Sequence, residues 1–545
     1  MPRYRIILFL LLFLVSLCSR VWLTVRYMDL GSDKCYQMLA AKNMDEGQGY
    51  SISVQNADNP VETIYGPLSG WPPGYSLTIS LAQKITGDYF TAAILLDVLS
   101  VVVFYSALLL FFLWWGSRFK SWMVNLLLVF WGLSSAPFYM LFSTDFLSLS
   151  FFILSSVVFL RWLETGRSNN MLLVVFLITA MLPGFFRYGF YPLMFVYPAC
   201  LMALAIVKKD RKYALLSVAT GVVFLAFIGL YSYYQLTLNG QASYMSGDRH
   251  GKESSALFFE NLRYFNPFFF NSILHDGFIV NRLGGTLLIS YSTLKALFSL
   301  LVIVLIFRVT LRRIKSDENN YLAILTLSTV IVNVLFLALL SVKYKLDTNA
   351  DGTWHWTYVQ EFRYFSPSYF MFLLLLLREY QAMGKIEKGF IHIAILPLML
   401  VGILYSSYTI VSGNTIGTYK HRYKLLTERI EELKKHTPDN NLVIVNGWSR
   451  ELDNTAYGSL MQLYGYKVYH DFGANEYARK LIADPHSKML DNNIDKIWNV
   501  SLGVNSFDTV FYMGSDSLLK TIFTTPEFNV TNTPVEHFYS ITATK

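Results

Sequence analysis

The sequence predicts a polytopic α-helical membrane protein with a small α/β domain at its C-terminal end. Three observations carry that reading. Long apolar runs recur through roughly the first four hundred residues, basic residues gather in the links between alternate runs, and after about residue 412 short strand patterns alternate with helical ones. The bulk composition agrees: of 545 residues, 54% are hydrophobic and only 15% charged, with a mean hydropathy of +0.38. That balance excludes a string of soluble domains. The net charge of +8 would point a soluble protein towards an acidic partner. Here the basic residues sit in short loops and mark membrane sidedness, with no nucleic-acid signal.

Spanning the hydrocarbon core takes about 20 residues, and on that criterion about eleven helices are expected. They lie near residues 6–25, 90–115, 121–140, 145–163, 171–187, 189–207, 213–235, 286–308, 320–342, 363–380 and 389–411. The first begins behind MPRYR and stays apolar to about Val25 with no small-residue cleavage site, so it reads as a retained signal anchor. With the N-terminus cytoplasmic, the inner links carry Arg118 and Lys120, Arg161 and Arg167, KKDRK from Lys208, RVTLRRIK from Arg308 and REYQAMGKIEK from Arg378. Every one is basic, as the positive-inside rule requires. The expectation is a multi-pass protein of the inner or plasma membrane. Its membrane domain covers 1–412, with extracytoplasmic loops 26–89, 236–283 and 343–361, and a separate extracytoplasmic α/β domain follows at 413–545. Cys18, Cys35 and Cys200 offer neither a disulfide framework nor a metal motif.

The first outer loop opens with GSDKCYQMLAAKNMDEGQGY from Gly31, an acid just outside the first helix with the start of an amphipathic helix behind it. A second landmark, GWPPGYS, follows at Gly70–Ser76. In the tail, a charged helical stretch leads to NLVIVNG, a helical pattern near Asp453–Leu463, a strand KVYHDF, a helix near Glu476–Leu490 and a strand DTVFYMG. VIVNG before a helix invites a nucleotide-binding reading, but no GxGxxG or P-loop follows, and a structural or acceptor-docking domain is the better one.

Topology gathers the ionisable residues at one membrane face. Asp33 lies in the first outer loop, Asp145 opens the fourth helix in FSTDFLS, Arg187 and Tyr188 occupy the outer turn between helices five and six, and Glu361, Arg363 and Tyr364 open the tenth helix in QEFRYFSP. Charges at membrane depth cost about 2.5–3.5 kcal/mol each, so each is a candidate for function. Each also has a plainer explanation: the arginines can snorkel, Asp145 can cap its helix, and Glu361 can pair with Arg363. As a set, two carboxylates facing two guanidiniums suit a transfer reaction. A carboxylate takes the proton of an attacking hydroxyl or holds a cation, while arginines neutralise a departing phosphate. Trp354, His355 and Trp356 could stack on a sugar but read better as interfacial belt residues. Arg20, inside the first helix, either reaches the site from below or snorkels.

In order, these pieces are SDxxY with a helix and GxGY, then PPGY, a TD opening a later helix, and ExRYxxP late in the membrane region. The series resembles the GT-C class of polyprenyl-phosphate-sugar-dependent glycosyltransferases, the group of the protein O-mannosyltransferases and the lipid A aminoarabinose transferase. The resemblance implies a membrane glycosyltransferase, a hexosyl or pentosyl transferase inverting at the anomeric carbon. It would pass a sugar from a polyprenyl-phosphate donor to a hydroxyl of a lipid, glycan or protein on the extracytoplasmic face. It implies Asp33 as the first-loop acid that activates the acceptor, Asp145 as the second acidic position, and Arg363 and Tyr364, with Arg187, as donor-phosphate contacts. Glu361, Trp71 and Tyr75 are implied substrate contacts. No cofactor is fixed by it: metal-dependent members use a divalent cation and commonly carry a second acid where this chain has Lys34, which favours a base role for Asp33. The aminoarabinose-transferase-like group has a lysine before the diproline, where this chain has Trp71, and Lys343 or Lys345 is the available substitute. The competing reading is a transporter or flippase of a lipid-linked or charged substrate. That reading expects charges near the bilayer midplane and two related halves, where this sequence puts its charges at one face and ends in a large outer domain.

Overall fold

The computed structural model describes residues 3–26, 32–55, 61–68, 70–115, 121–133, 143–239, 291–316, 320–343, 347–348, 354–355, 362–397, 399–400, 403–404, 428, 431, 434, 441–445, 454–470, 507, 509–513, 528–533 and 538–543. Among these, five helical segments are long and apolar enough to cross a membrane: Ile6–Val25, Tyr89–Trp115, Thr144–Glu164, Tyr188–Lys208 and Arg211–Thr237. Trp122–Gly132, Asn170–Phe186 and Tyr321–Phe336 are shorter apolar helices. Compactness divides the chain into two units, Met1–Arg26 with Asp97–Tyr231 and Asp248–Asn414, and Tyr27–Leu96 with Ser232–Gly247 and Thr415–Lys545. The segment Tyr27–Leu96 therefore groups with the tail.

In the first unit, α1 (Arg3–Arg26) is a 24-residue apolar rod bracketed by arginines. It leaves Leu11, Leu14 and Val15 exposed, as a lipid-facing side requires. Its other side packs on α5 (Ser121–Leu133): Ser16 donates to the Leu128 carbonyl at 2.6 Å, and Gly132 lets the two backbones meet. Phe9 and Phe13 lie against Phe112 and Tyr105 of α4 (Tyr89–Trp115), so α1 and α4 run in opposite directions.

The next two helices form a hairpin, α6 (Ser143–Glu164) and α7 (Asn170–Phe186). Its tight turn is made by Gly166 at φ 70° and Arg167 at φ 66°, and the Asn169 side chain caps α7 by accepting from the Leu172 amide. Rings of Phe159, Trp162 and Phe176 seal the turn end, and Ser148 donates to the Pro183 carbonyl towards the open end. A short broken stretch, 188–195, leads to α8 (Val196–Lys208) and α9 (Arg211–Asn239). α10 (Tyr291–Lys315), α11 (Tyr321–Lys343), α12 (Phe362–Glu379) and α13 (Lys385–Phe390), which continues into a π-helical turn, complete the unit.

Buried pairs fix the directions of the central helices. At their C-terminal ends, Trp115 of α4 and Arg378 of α12 both donate to Glu164 of α6, at 2.7 and 2.9 Å, while Arg313 of α10 pairs with Glu379. Nearer the other end, Phe104 of α4 touches both Phe146 of α6 and Phe370 of α12. α4, α6 and α12 therefore run parallel, and their N-terminal halves share one end of the bundle.

In the second unit, α2 (Ser32–Asp45), the hairpin β1 (Ser51–Gln55) and β2 (Thr63–Pro67), and α3 (Gly74–Thr86) enclose a core of Tyr36, Leu39, Ala40, Tyr50, Ile52, Leu68 and Trp71. After the two-residue pair β3 (Asp347–Thr348) and β4 (Trp354–His355) of the first unit, the tail contributes a five-stranded sheet ordered β6 (Lys467–His470), β5 (Asn441–Val445), β7 (Thr509–Met513), β9 (Phe538–Ala543), β8 (Phe528–Asn532). β5 is parallel to β6 and β7, with α14 (Asn454–Leu463) crossing between β5 and β6. β9 and β8 add an antiparallel edge, Val530 opposite Ile541. The helix expected near Glu476–Leu490 lies outside the described residues.

Candidate active site

Asp145 and Arg187, 42 positions apart, are brought together by the α6–α7 hairpin. Asp145 stands in the first turn of α6, where the helix dipole favours a carboxylate. Arg187 is the residue at which α7 ends. Pro183 weakens the last turn from within, and Arg187 leaves it in extended backbone at φ −150° with its amide bonded to the Pro183 carbonyl. The guanidinium then points back along the hairpin, and its Nε lies 2.9 Å from Asp145 Oδ1. Their side chains are 4% and 12% exposed for Asp145 and Arg187. Charges withdrawn this far from water are tolerated when paired, and removing either partner leaves the other uncompensated.

Arg363 and Tyr364 open α12. Arg363 lies seven residues, or about two helical turns, before Phe370, towards the end at which α6 begins with Asp145. Their side chains lie outside the described residues, as do Glu361, Lys345 and Trp356 and the side chain of Lys343. Trp354 and His355 form a two-residue strand opposite Asp347 and Thr348.

Asp33 begins α2 in the second unit, half-buried, with its carbonyl accepting from Gln37. Lys34 beside it is buried. The helix behind was expected to be amphipathic, yet Cys35 through Ala41 are all buried. The reason is that α2 is covered by α3, β1 and α14 together rather than by a single core face. Trp71 is 4% exposed, its ring tilted against Tyr36 and its carbonyl accepting from Tyr50 at 3.1 Å; Tyr75 is fully buried. Pro73 stands immediately before α3 at φ −68°, the geometry that starts a helix.

Two further buried charges lie in the same part of the bundle, Arg20, which the sequence singles out, and Asp97, which it does not. Asp97 of α4 lies two turns before Phe104, towards the N-terminal end of the parallel helices, and Arg20 of α1 is almost fully enclosed. Asp97 had a readable signal, a carboxylate inside AILLDVLS in the middle of an apolar run. At the opposite end Arg313 and Arg378, basic link residues in the sequence, form a packed network with Glu164 and Glu379. Among the described residues no group of three His, Cys, Asp or Glu side chains is placed to hold a metal ion.

No family model and no curated protein matches this sequence. Solved structures do match over nearly the whole chain. ArnT from Cupriavidus metallidurans in the apo state is 12% identical, covers 99% of this chain and 97% of its own, and superposes with a TM-score of 0.55. The same protein bound to undecaprenyl phosphate is 13% identical over 100% of this chain and 98% of its own, with a TM-score of 0.50. The archaeal oligosaccharyltransferase AglB from Archaeoglobus fulgidus, in complex with an inhibitory peptide and a dolichol-phosphate, matches at 15% identity over 94% of this chain and 69% of its own, at a TM-score of 0.45. The architecture of this polytopic membrane protein is thus that of ArnT, an aminoarabinose transferase of the GT-C class, the likeness being one of fold.

Proposed function

We propose that this chain is a membrane glycosyltransferase that takes a sugar from a polyprenyl-phosphate donor and passes it, on the extracytoplasmic side, to a hydroxyl of a lipid, glycan or protein. The observation that carries the reading is the buried Asp145–Arg187 pair at the open end of its hairpin, on a fold shared with ArnT. The ArnT structure that holds undecaprenyl phosphate supports the donor class.

In this reading Asp33 is the base. Its carboxylate takes the acceptor's proton as the hydroxyl oxygen attacks the anomeric carbon from the face opposite the phosphate, so the C–O bond to phosphate breaks with inversion and polyprenyl phosphate departs. Arg363, with Tyr364, neutralises the departing phosphate, and Arg187, oriented by Asp145, is available for the same charge. Glu361, Trp71 and Tyr75 complete the proposed substrate contacts, the last two from within the packed first loop. Asp33 is followed by Lys34, a buried residue, and not by a second acid, so the chain lacks there the paired carboxylates that a divalent cation takes.

The test uses purified protein in nanodiscs with undecaprenyl-phosphate sugars and extracted envelope lipids, glycans and proteins as acceptors. Transfer by the parent and its loss in Asp33→Asn is the expected result. Full transfer by Asp33→Asn sinks the base assignment, and substrate uptake into vesicles without transfer by the parent replaces the enzyme with a transporter.

A further inference from the structure

The tail and the first outer loop meet through α14 and the strand that follows it. β1 pairs with β2 along one edge only, Ser53 opposite Tyr65. On that side the Tyr50 carbonyl accepts from the Leu68 amide, so by the alternation of a strand the carbonyls of Ser51 and Ser53 point the other way. Both are buried residues, and a buried carbonyl must find a donor. Asn43 of α2 supplies one to Ser51 at 2.9 Å, and Gln462 at the end of α14 supplies the other, its Nε2 lying 2.6 Å from the Ser53 oxygen.

Gln462 serves α2 as well. Its own backbone carbonyl accepts from Lys42 Nζ at 2.8 Å, and Lys42 is further steadied by Glu46 at 3.8 Å. Burial holds the Lys42 ammonium below its ordinary value, with Glu46 opposing the effect and Lys434 adding to it. Two residues later the ring of Tyr464 tilts against Phe90, at the start of α4, and its hydroxyl donates to Glu431. One short piece of the tail thus grips the far end of α2, the open edge of β1 and the chain just beyond α3.

We infer that the C-terminal domain is a positioning element of the reaction: Gln462 clamps α2 and β1, and through α2 it sets where Asp33, at the head of that helix, is held. The inference rests on the base role proposed for Asp33. It gives the tail a task in catalysis, separate from any part it has in choosing an acceptor.

Hydrogen–deuterium exchange on the full-length protein in nanodiscs tests the clamp without any substrate. Gln462→Glu keeps the side-chain volume and removes the amide donor, and Gln462→Ala removes both. Either change leaves the Ser53 carbonyl without its donor, so amides of residues 32–45 and 51–55 should exchange about tenfold faster, with 143–164 unchanged. Unaltered exchange over 32–55, or an equal rise over 143–164, overturns the clamp. With an undecaprenyl-phosphate sugar as the probe, both variants should lower kcat while leaving the donor KM in place. Faster exchange with an unchanged kcat overturns the positioning role. If the parent itself transfers nothing, the enzyme reading fails while exchange still decides whether Gln462 is the clamp.

Discussion

Removing one partner of the Asp145–Arg187 pair should cost far more than removing both. With Asp145 Oδ1 2.9 Å from Arg187 Nε and both side chains withdrawn from water, Arg187→Met takes this ion-pair partner from a buried carboxylate and Asp145→Leu takes it from a buried guanidinium. Each single change should destabilise the protein by about 3–5 kcal/mol, whereas the double variant, with apolar side chains of similar size, should recover most of that loss. Unfolding of all four proteins in mixed detergent and SDS gives the cycle, and because the double variant costs less than either single change, the coupling should exceed the cost of one of them, about 3–5 kcal/mol. The second arm is undecaprenyl phosphate binding in nanodiscs. A pair kept only for packing leaves binding in the stable double variant intact; a pair kept for the donor phosphate loses it there as well. Single variants within about 0.5 kcal/mol of the parent would refute the burial argument, and full donor binding by the double variant would refute the functional one.

The opposite end of the bundle makes its own predictions. Glu164→Ala takes from buried Arg378 its 2.9 Å ion pair, leaving the longer 3.9 Å approach to Glu379, and takes the acceptor from Trp115, so a loss of about 2–3 kcal/mol in the same unfolding assay is expected. Ser368→Ala deletes the 2.9 Å bond from Asn333 between α11 and α12 and should cost about 1 kcal/mol, the usual scale for a buried bond between membrane helices. Gly132→Val should be poorly tolerated and lower the yield of folded protein, because a Cβ there would come within 2.8 Å of the Ser16 Cα in α1. Glu387, in the link after α12, is a pH reporter. Burial alone would raise its carboxyl, but its own backbone bond together with Arg312 and Arg308 outweighs burial and holds it below the ordinary value. A depressed carboxylate stabilises the fold above the unfolded value of about 4.3 and loses that contribution as pH falls through the lower folded value. Glu387→Gln should therefore flatten the acid limb of the stability profile and leave the neutral limb weaker than the parent.

Sequence by itself determined the membrane character and the helical architecture. Apolar length and the placement of basic residues are one-dimensional quantities set by the thickness and polarity of a bilayer, so they can be read before anything folds. The order of acids, prolines and arginines pointed to the fold later found in ArnT. Tertiary structure alone decided which charges meet. Asp145 and Arg187 pair because α7 ends at Phe186, where Arg187 leaves the helix in extended backbone, and the hairpin turn at Gly166 and Arg167 sets its register. Arg378 is only a basic link residue in the sequence, and it meets Glu164 and Trp115 because three parallel helices finish at one level. The same holds for α2, whose sequence reads as amphipathic but which β1, α3 and α14, drawn from separate parts of the chain, cover together. Local periodicity reports a single buried face, whereas the burial of α2 and the grip of Gln462 depend on contacts between residues some four hundred positions apart, which no local pattern encodes.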